Sequence, residues 1–422
     1  LDGFELQSTT FALPQVIQEF KITPAQAGFI PASTNFGLLI GALLFGVLSD
    51  RYGRRRMFQL VIATYALGSL LSAIAPNYQF LVAVRILAGL GIGAEFPVAF
   101  ALLSEFSPTR HRHLFIMAGP FTNAFGYVVT AFLALWLVPS FGWRSMYWFG
   151  IIPVILILYL RHFIPESPRY LLARGQVEEA GQVTRQLADR AGFNTVELVP
   201  PEEKVQELNQ KIDKRALYKS VLPAFVALLL VYFFQYIQAT GITSFLPVLF
   251  VRQGFALARS FQFTLIILCG TTLSHPLAGF LQEWLNRKYA MLLQGFVGGA
   301  FFVAAGLSFA GKAPIQVSVA LLFFTALFAQ GMITVLFTLS SELFPTPIRS
   351  VSMGIVSSAA RIGSIVGPLL TGYLLTSGAP IQQVIYIFCV PLILASLIAL
   401  VLIRVDPRQK SLEMITAAQA VA

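Results

Sequence analysis

The stretch Gly46-Val47-Leu48-Ser49-Asp50-Arg51-Tyr52-Gly53-Arg54-Arg55-Arg56 decides the fold, because it places one acid and four arginines between two apolar runs. The runs lie at about 27–48 and 57–75, and each can cross a bilayer, since roughly 20 residues at 1.5 Å rise span about 30 Å. The glycines permit a tight turn and the close approach of a second helix. We interpret the stretch as a cytoplasmic loop between two membrane helices. Taken alone, it would be only a positive-inside topology anchor.

The composition indicates an all-α polytopic membrane protein. Of the 422 residues, 56% are hydrophobic and 11% are charged, and the mean hydropathy is +0.75. Soluble globular domains usually carry about 25% charged residues. The net charge of +10 reflects the basic bias of cytoplasmic loops, because no basic patch is interleaved with aromatic residues. We therefore expect the lipid bilayer, and no nucleic acid, as a partner.

Twelve apolar segments follow one another along the chain. The first is short for a full span, and we expect its cytoplasmic half to precede residue 1. Loops on the side of the 46–56 stretch carry more than twice as many lysines and arginines as the opposite loops. Both termini should therefore be cytoplasmic in a multi-pass protein of the cell (inner) membrane. The segments lie at about 1–17, 27–50, 57–75, 79–104, 114–138, 145–164, 218–250, 261–284, 288–309, 315–341, 351–376 and 381–404.

A polar stretch in the middle divides the chain into two halves. We predict an N-terminal six-helix bundle over 1–164 and a C-terminal six-helix bundle over 218–404, followed by a cytoplasmic tail over 405–422. Between the bundles, residues 165–217 have near-balanced charge and apolar residues at helical spacing. We interpret this stretch as one to three amphipathic helices on the cytoplasmic face. A plain linker is the alternative.

The two halves repeat each other. The 46–56 stretch recurs in weaker form at 279–288, which is 233 residues later, and Ser104-Glu105-Phe106-Ser107-Pro108-Thr109 recurs as Ser341-Glu342-Leu343-Phe344-Pro345-Thr346, 237 residues later. Pairs at nearly one offset predict parallel six-helix halves with a binding site near the membrane midplane.

These stretches resemble the major facilitator superfamily of transporters, whose signature loop joins helices 2 and 3. Arg85-Ile86-Leu87-Ala88-Gly89, Gly142-Trp143-Arg144, Pro165-Glu166-Ser167-Pro168-Arg169 and the Ser341–Thr346 string are similar to the sugar porters and their relatives. Those relatives include synaptic vesicle protein 2, organic ion transporters, aromatic acid:proton symporters and bacterial niacin (nicotinate) permeases, the last two being the most similar. The resemblance covers nearly the whole chain and implies the major facilitator fold, with twelve transmembrane helices in two pseudo-symmetric six-helix bundles.

The resemblance also implies two ion-pair networks that act as cytoplasmic gates. Exposed pairs are worth about 0–1 kcal/mol each, but a network can bias an equilibrium between two states. Trp284 and Asn286 stand where the family has Arg and Gly, so we expect the second network to be weaker. The first network comprises Asp50, Arg54, Glu105, Arg112, Glu166 and Arg169, and the second comprises Glu283, Arg287, Glu342 and Arg349.

Arg361 is the principal candidate for substrate binding. It lies about ten residues into segment 11, which is roughly 15 Å from the helix end and near the midplane. An ionisable side chain at this depth is costly and usually functional, and a guanidinium binds a carboxylate through two parallel hydrogen bonds. We therefore expect a monocarboxylate substrate. A structural pair with an acid on another helix is the alternative.

Polar and aromatic side chains in the membrane segments complete the predicted binding site. Segment 7 carries Gln235 and Gln238, close to where sugar porters use paired glutamines, and Tyr232 and Tyr236, which can stack on a flat ring. Gly241 and Pro247 predict a break near the end of this segment. Such a stripe can instead be simple packing. The further candidates in segments 2, 5 and 10 are Asn35, Asn123, Gln330 and Thr334.

Proton coupling needs an acid that titrates within the membrane. Asp2 and Glu5 form an Asp-Gly-Phe-Glu stretch similar to one in aromatic acid symporters, where an acid on this helix is implicated in coupling. Glu95 is a second buried acid, and Arg85, ten residues before it, completes the predicted proton-coupling set. Desolvation moves a carboxyl pKa towards neutrality, as a proton relay requires. Facilitated diffusion is the alternative.

The sequence indicates a secondary active transporter and not an enzyme. The string Gly306-Leu307-Ser308-Phe309-Ala310-Gly311-Lys312-Ala313 ends in Ala where a phosphate-binding loop needs Ser or Thr, so ATP coupling is excluded. Cys269, Cys389 and His275 have no clustered partners, so no metal or cofactor is expected. We predict a monomer that takes up a small organic anion, nicotinate or a similar aromatic acid, with protons. A sugar or organic-cation transporter and a non-transporting receptor are the alternatives.

Overall fold

The computed structural model is helical throughout the part of the chain that it describes, and no strand occurs among those residues. The described residues are 2–52, 54–106, 112–149, 152, 171, 176–190, 214–344 and 346–403.

Among the described residues, the N-terminal half contributes six helices and the polar middle stretch one more. This one, Val177–Arg190, is strongly amphipathic with two acids in its first turn, and its position on the cytoplasmic face stays a prediction. In chain order the seven are α1 Asp2–Phe20, α2 Pro24–Tyr52, α3 Arg54–Ala73, α4 Tyr78–Phe106, α5 Arg112–Phe141, α6 Arg144–Trp148 and α7 Val177–Arg190.

The C-terminal half contains two interrupted helices. Its seventh apolar segment stops at Thr243 and restarts with Pro247 in the first turn, which confirms the predicted break. The tenth is interrupted at Gln330, which was not predicted. The helices are α8 Lys214–Thr243, α9 Leu246–Arg252, α10 Leu257–Trp284, α11 Arg287–Ala310, α12 Ile315–Ala329, α13 Gly331–Leu343, α14 Thr346–Thr376 and α15 Ile381–Leu402.

Nine helical stretches in the described residues are long and apolar enough to cross a membrane. α1 does not reach this hydropathy, because five consecutive or near-consecutive polar positions interrupt it. At 1.5 Å per residue its length is nonetheless roughly 28 Å. These polar side chains are buried inside the protein and not turned to lipid: Glu5, Gln7, Ser8, Thr9 and Thr10.

Glycines allow the helices around the centre to pack backbone to backbone. A Cβ on Gly89 of α4 would overlap the carbonyl of Thr34 on α2, and a Cβ on Gly363 of α14 would overlap the carbonyl of Phe233 on α8. Close packing of this kind is typical of small residues in membrane helices. It brings Thr34 beside Arg85, one turn before Gly89, and brings Tyr236 beside α14.

The two halves are packed together at the distal end, by which we mean the end that holds the connections 21–23, 253–256 and 377–380. One apolar cluster there includes Leu13 and Val16 of α1 together with Phe245 and Leu249 of the other half. The cross-half packing also pairs α2 with α14 and α5 with α10. The distal end is therefore closed by apolar contacts between the bundles.

Candidate functional site

A cavity of about 180 Å³, lined by both apolar and polar side chains, lies between the two halves. Drug-sized ligands occupy pockets of about 300–1,000 Å³, so this cavity suits a smaller molecule. Of the described lining side chains none is Asp, Glu, Lys or Arg, and the polar ones come from both halves. They are Gln7, Thr9, Thr10, Thr34, Asn35, Asn123, Tyr127, Tyr236, Thr240, Thr243, Ser244, Thr271, His275 and Gln330.

Two lining groups have hydrogen-bonding capacity that the described protein atoms leave unused. The Oε1 atom of Gln7 and the Oγ1 atom of Thr271 are enclosed and have no partner there, and their residues are 5% and 4% exposed. A buried polar atom without a partner is costly. These atoms are therefore suited to contact water or a polar ligand in the cavity.

Tyr236 connects the cavity with Arg361. It lines the cavity, and its hydroxyl lies within electrostatic range of the Arg361 guanidinium. The Tyr236 ring is stacked with that of Tyr232, with ring centroids 6.3 Å apart and an interplanar angle of 15°. Arg361 is therefore next to a lining residue, although it is not itself among the residues that line the cavity.

Arg361 has no carboxylate within 4 Å in the described part of the chain. It is partly buried and shares a face of α14 with Gly354, Ser357 and Ser358, which stand three to seven residues before it. The exposed apolar residues of α14 lie on a neighbouring face instead, as Ile355 and Ile362 illustrate. Its polar face is thus distinct from the face suited to lipid.

Glu5 and Arg85 form a fully buried ion pair in the N-terminal half. Arg85 Nη1 donates to Glu5 Oε1, and both side chains are 0% exposed. Ser69 donates to Glu5 Oε2 at 3.0 Å, and the guanidinium lies 5.1 Å from the centroid of the Tyr147 ring. A buried pair is tolerated when further hydrogen bonds satisfy its remaining atoms. Arg85 Nη2 has no such partner in the described protein.

This ion pair reaches the cavity through two threonines. Arg85 Nε donates to Thr34 Oγ1 at 3.1 Å, and the Tyr147 hydroxyl donates to Thr9 Oγ1 at 3.2 Å. Thr34 and Thr9 both line the cavity. A change in the charge of Glu5 would therefore be transmitted to the cavity wall through one intervening residue.

The remaining predicted binding residues divide into two groups. Asn35, Asn123, Tyr236 and Gln330 line the cavity. A second group lies outside the lining. In this group Gln235 donates to the carbonyl of Ala329 at 2.7 Å, and Tyr232 accepts from Ser340 at 3.3 Å. Thr334 contacts His275. Gln238 is also buried outside the lining. Direct contact with a substrate stays a prediction for all of them.

One predicted gate pair is present. Arg287 donates to both carboxylate oxygens of Glu342, at 3.0 and 3.3 Å, and to the carbonyl of Gln282 at 2.8 Å. The pair joins α11 to α13 within the C-terminal half, so it does not itself cross between the halves. Glu283 is exposed at the end of α10.

Two predicted gate residues, Glu166 and Arg169, lie outside the described residues. For seven others the structure describes the helix but not the side chain, so all nine roles stay predictions. The seven are Asp2 and Glu95 of the coupling set, and Asp50, Arg54, Glu105, Arg112 and Arg349 of the gates.

His275 is the lining residue that sequence analysis considered only as a metal ligand. It is half-buried on α10, and its Nδ1 atom lies 2.7 Å from Thr334 Oγ1 of α13. In the described residues, no group of three or more His, Cys, Asp or Glu side chains is placed to hold a metal. The sequence signal for the site was available, since histidine is rare in an apolar segment and ionisable residues there are usually functional.

Comparison with known proteins identifies the class of this protein. The inward-open xylose transporter XylE from E. coli has the same fold, with a TM-score of 0.77 at 20% sequence identity over 99% of this chain and 97% of that one. The fold is thus the twelve-helix major facilitator fold, as predicted. The family match and the relatives described next show that the chain is a multi-pass membrane transporter and not an enzyme.

The chain belongs to the family described as "Sugar (and other) transporter", whose model matches residues 6–418. It is 30% identical to the niacin transporter NiaP of Acinetobacter baylyi, over 98% of this chain and 93% of that protein. It is 27% identical to the 4-hydroxybenzoate transporter PcaK of the same organism, over 93% and 86%. These relatives are named for small aromatic acids.

Proposed function

We propose that this transporter takes up a small aromatic monocarboxylate, nicotinate or a benzoate-like acid, together with a proton. The observation that carries the proposal is Arg361, which lies beside a cavity-lining tyrosine without a carboxylate partner among the described residues. A guanidinium at membrane depth is stabilised by an anion, and the described lining of the cavity contains no Asp, Glu, Lys or Arg. The names of the relatives favour the same substrate class.

Glu5 is the proposed proton carrier. It is buried within the membrane, is paired with Arg85, and is linked to the cavity through Thr34. Protonation of Glu5 would remove one charge of the pair and leave Arg85 free for other acceptors. Binding of a proton would in this way alter the cavity wall at Thr34, which gives proton and substrate a shared structural element.

Uptake into liposomes tests this function. We expect purified protein in liposomes to accumulate labelled nicotinate above equilibrium when the outside is acidic, because proton entry drives the cargo. A protonophore should abolish the accumulation, and protein-free liposomes control for passive entry of the neutral acid. Equal uptake with and without the gradient, ending at equilibrium, would instead indicate facilitated diffusion.

A cargo panel separates the alternative transporter functions. Unlabelled benzoate should compete with nicotinate, whereas a pentose and a quaternary amine should not, because neither supplies the negative charge that Arg361 needs. Inhibition by the pentose but not by benzoate would indicate a sugar transporter, and inhibition by the amine but not by benzoate would indicate an organic-cation transporter. Saturable binding of nicotinate without any entry into the vesicles would identify a receptor.

The closed distal end corresponds to one of the two states of an alternating-access cycle. A Cβ on Gly28 of α2 would lie 2.7 Å from the carbonyl oxygen of Pro368 on α14, where neither backbone can give way without moving its helix. We expect Gly28→Val to oppose closure of this end and to reduce nicotinate uptake about 5-fold or more, since overpacking destabilises the closed state by roughly 1–3 kcal/mol. Initial uptake rates in liposomes measure the effect.

Gly279→Val is the matched control, because a Cβ on Gly279 meets no atom within 4 Å. Gly279→Val should keep near wild-type uptake. Gly28→Val should lose uptake but still bind nicotinate. Normal uptake by Gly28→Val would show that distal closure is not part of the cycle.

A further inference from the structure

His275 presents one edge of its ring to a fixed partner and the other to the cavity. Its Nδ1 atom contacts Thr334 Oγ1 at 2.7 Å, and Thr334 lies outside the cavity lining. Nε2, at the other edge of the ring, has no hydrogen-bond partner among the described residues, and it is not among the fully enclosed polar atoms that lack one. Because His275 lines the cavity, the geometry directs Nε2 to it.

The Thr334 hydroxyl determines which ring nitrogen carries the proton. This hydroxyl has no other hydrogen-bond partner in the described part of the chain, so its proton is best used on Nδ1. If it instead accepted from Nδ1–H, its own proton would lack an acceptor at a partly buried position. Donation to Nδ1 leaves the proton of neutral histidine on Nε2. His275 therefore offers one N–H donor to the cavity.

We propose that His275 reads an in-plane hydrogen-bond acceptor on the ring of the cargo, so that the site prefers pyridine carboxylates over benzoates. The inference rests on the proposed function, in which Arg361 holds the carboxylate. The two groups have separate elements behind them, since Arg361 lies on α14 beside Tyr236 and His275 lies on α10 against α13. Tyr236 and His275 both line the cavity, so a ligand there lies between the helix that carries His275 and the tyrosine beside Arg361.

The chemistry of the two rings explains the preference. A pyridine nitrogen that is unprotonated near neutral pH carries a lone pair in the ring plane and accepts from Nε2–H. Benzoate has the same shape but places a C–H group there, which leaves the histidine donor without an acceptor on the ligand. Sites that bind a polar ligand atom discriminate against the analogue that lacks it, because their own polar group is left without a partner.

The ratio of two dissociation constants tests the proposal. Calorimetry on purified protein should show that wild type binds nicotinate about 10-fold more tightly than benzoate, as expected for one enclosed hydrogen bond. His275→Leu should bring this ratio close to one. His275→Gln, which keeps an N–H donor, should retain part of the preference. Thr334→Val should lower it, because the ring loses the partner that fixes its tautomer.

Matched controls keep the test specific. Thr325→Val removes a hydroxyl that donates to the Leu321 carbonyl within its own helix, and it should retain the wild-type ratio. Thermal unfolding verifies that each variant is folded. If His275→Leu does not fold, His275→Gln and Thr334→Val decide the question.

The outcomes also separate this inference from the proposed function. If His275→Leu leaves the ratio of the two dissociation constants unchanged, the inference is overturned. This includes an equal loss of affinity for both acids, which would indicate that Nε2 binds the carboxylate. Absence of any preference in wild type would overturn it as well. If wild type binds neither acid, the proposed function fails together with the inference.

Discussion

Arg361→Gln is expected to weaken nicotinate binding by roughly 100-fold. Removing one partner of a buried, hydrogen-bonded charge pair typically costs about 2–5 kcal/mol, and tenfold in affinity corresponds to about 1.4 kcal/mol. Glutamine retains hydrogen-bond donors and much of the side-chain length, but it removes the positive charge. Because Arg361 has no carboxylate partner among the described residues, its loss should not expose an internal acid there. Binding by calorimetry, with thermal unfolding as the folding control, measures the effect.

Two further substitutions make this result specific to Arg361. Arg361→Lys keeps the charge but loses the planar pair of donors, so its affinity should fall between wild type and Arg361→Gln. Arg259→Gln removes a similar charge from the exposed start of α10 and should leave the affinity unchanged. If Arg361→Gln binds nicotinate as well as wild type does, the carboxylate is held elsewhere.

Glu5→Gln is expected to abolish proton-driven accumulation while nicotinate exchange continues. An amide of nearly the same shape cannot release a proton, so a proton gradient can no longer drive uptake. Gradient-driven accumulation should fall at least about 10-fold, to the equilibrium level. Exchange of internal for external nicotinate needs no net proton movement and measures whether the cavity still works. Both assays use the same liposomes.

Glu5→Gln also leaves Arg85 without its ion-pair partner, so the resulting loss of protein stability must be distinguished from the loss of proton coupling. Breaking a buried pair by removing one partner costs about 3–5 kcal/mol. The double variant Glu5→Gln/Arg85→Gln removes both charges and should recover part of the lost thermal stability without recovering accumulation. Glu19→Gln removes a partly exposed carboxylate from the far end of the same helix and should still accumulate. Full accumulation by Glu5→Gln would exclude Glu5 as the proton carrier.

Helix positions and the division into halves could be predicted from the sequence because they depend on local hydropathy and on repeated strings. The break between α8 and α9 was also predictable, since Gly241 and Pro247 lie in sequence at that point. The interruption at Gln330 was not predictable. The sequence feature at that point is Gly331, and glycine is common within uninterrupted membrane helices.

The site could be predicted residue by residue but not as an arrangement. Glu5 and Arg85 were both candidates, yet their pairing depends on how α1 and α4 meet across 80 residues of chain. Gln235 and Gln238 were expected at the substrate, but the rotation of α8 turns Tyr236 to the cavity and places Gln235 against the Ala329 carbonyl. A helical segment that is apolar on most sides gives little information on its rotation, so its polar residues could not be assigned to a face.

The two ends of the bundle should respond differently to ionic strength. At the distal end the described contacts between the halves are apolar side chains, glycine backbone and the Ala25 N–H donating to Thr376 Oγ1 at 2.8 Å, and no described ion pair crosses there. Contacts of this kind are scarcely screened by salt, whereas the ion-pair networks predicted around Asp50 and Arg54 are. Added electrolyte should therefore shift the carrier towards the state that is open at the arginine-rich end, and should make the turnover rate depend on ionic strength.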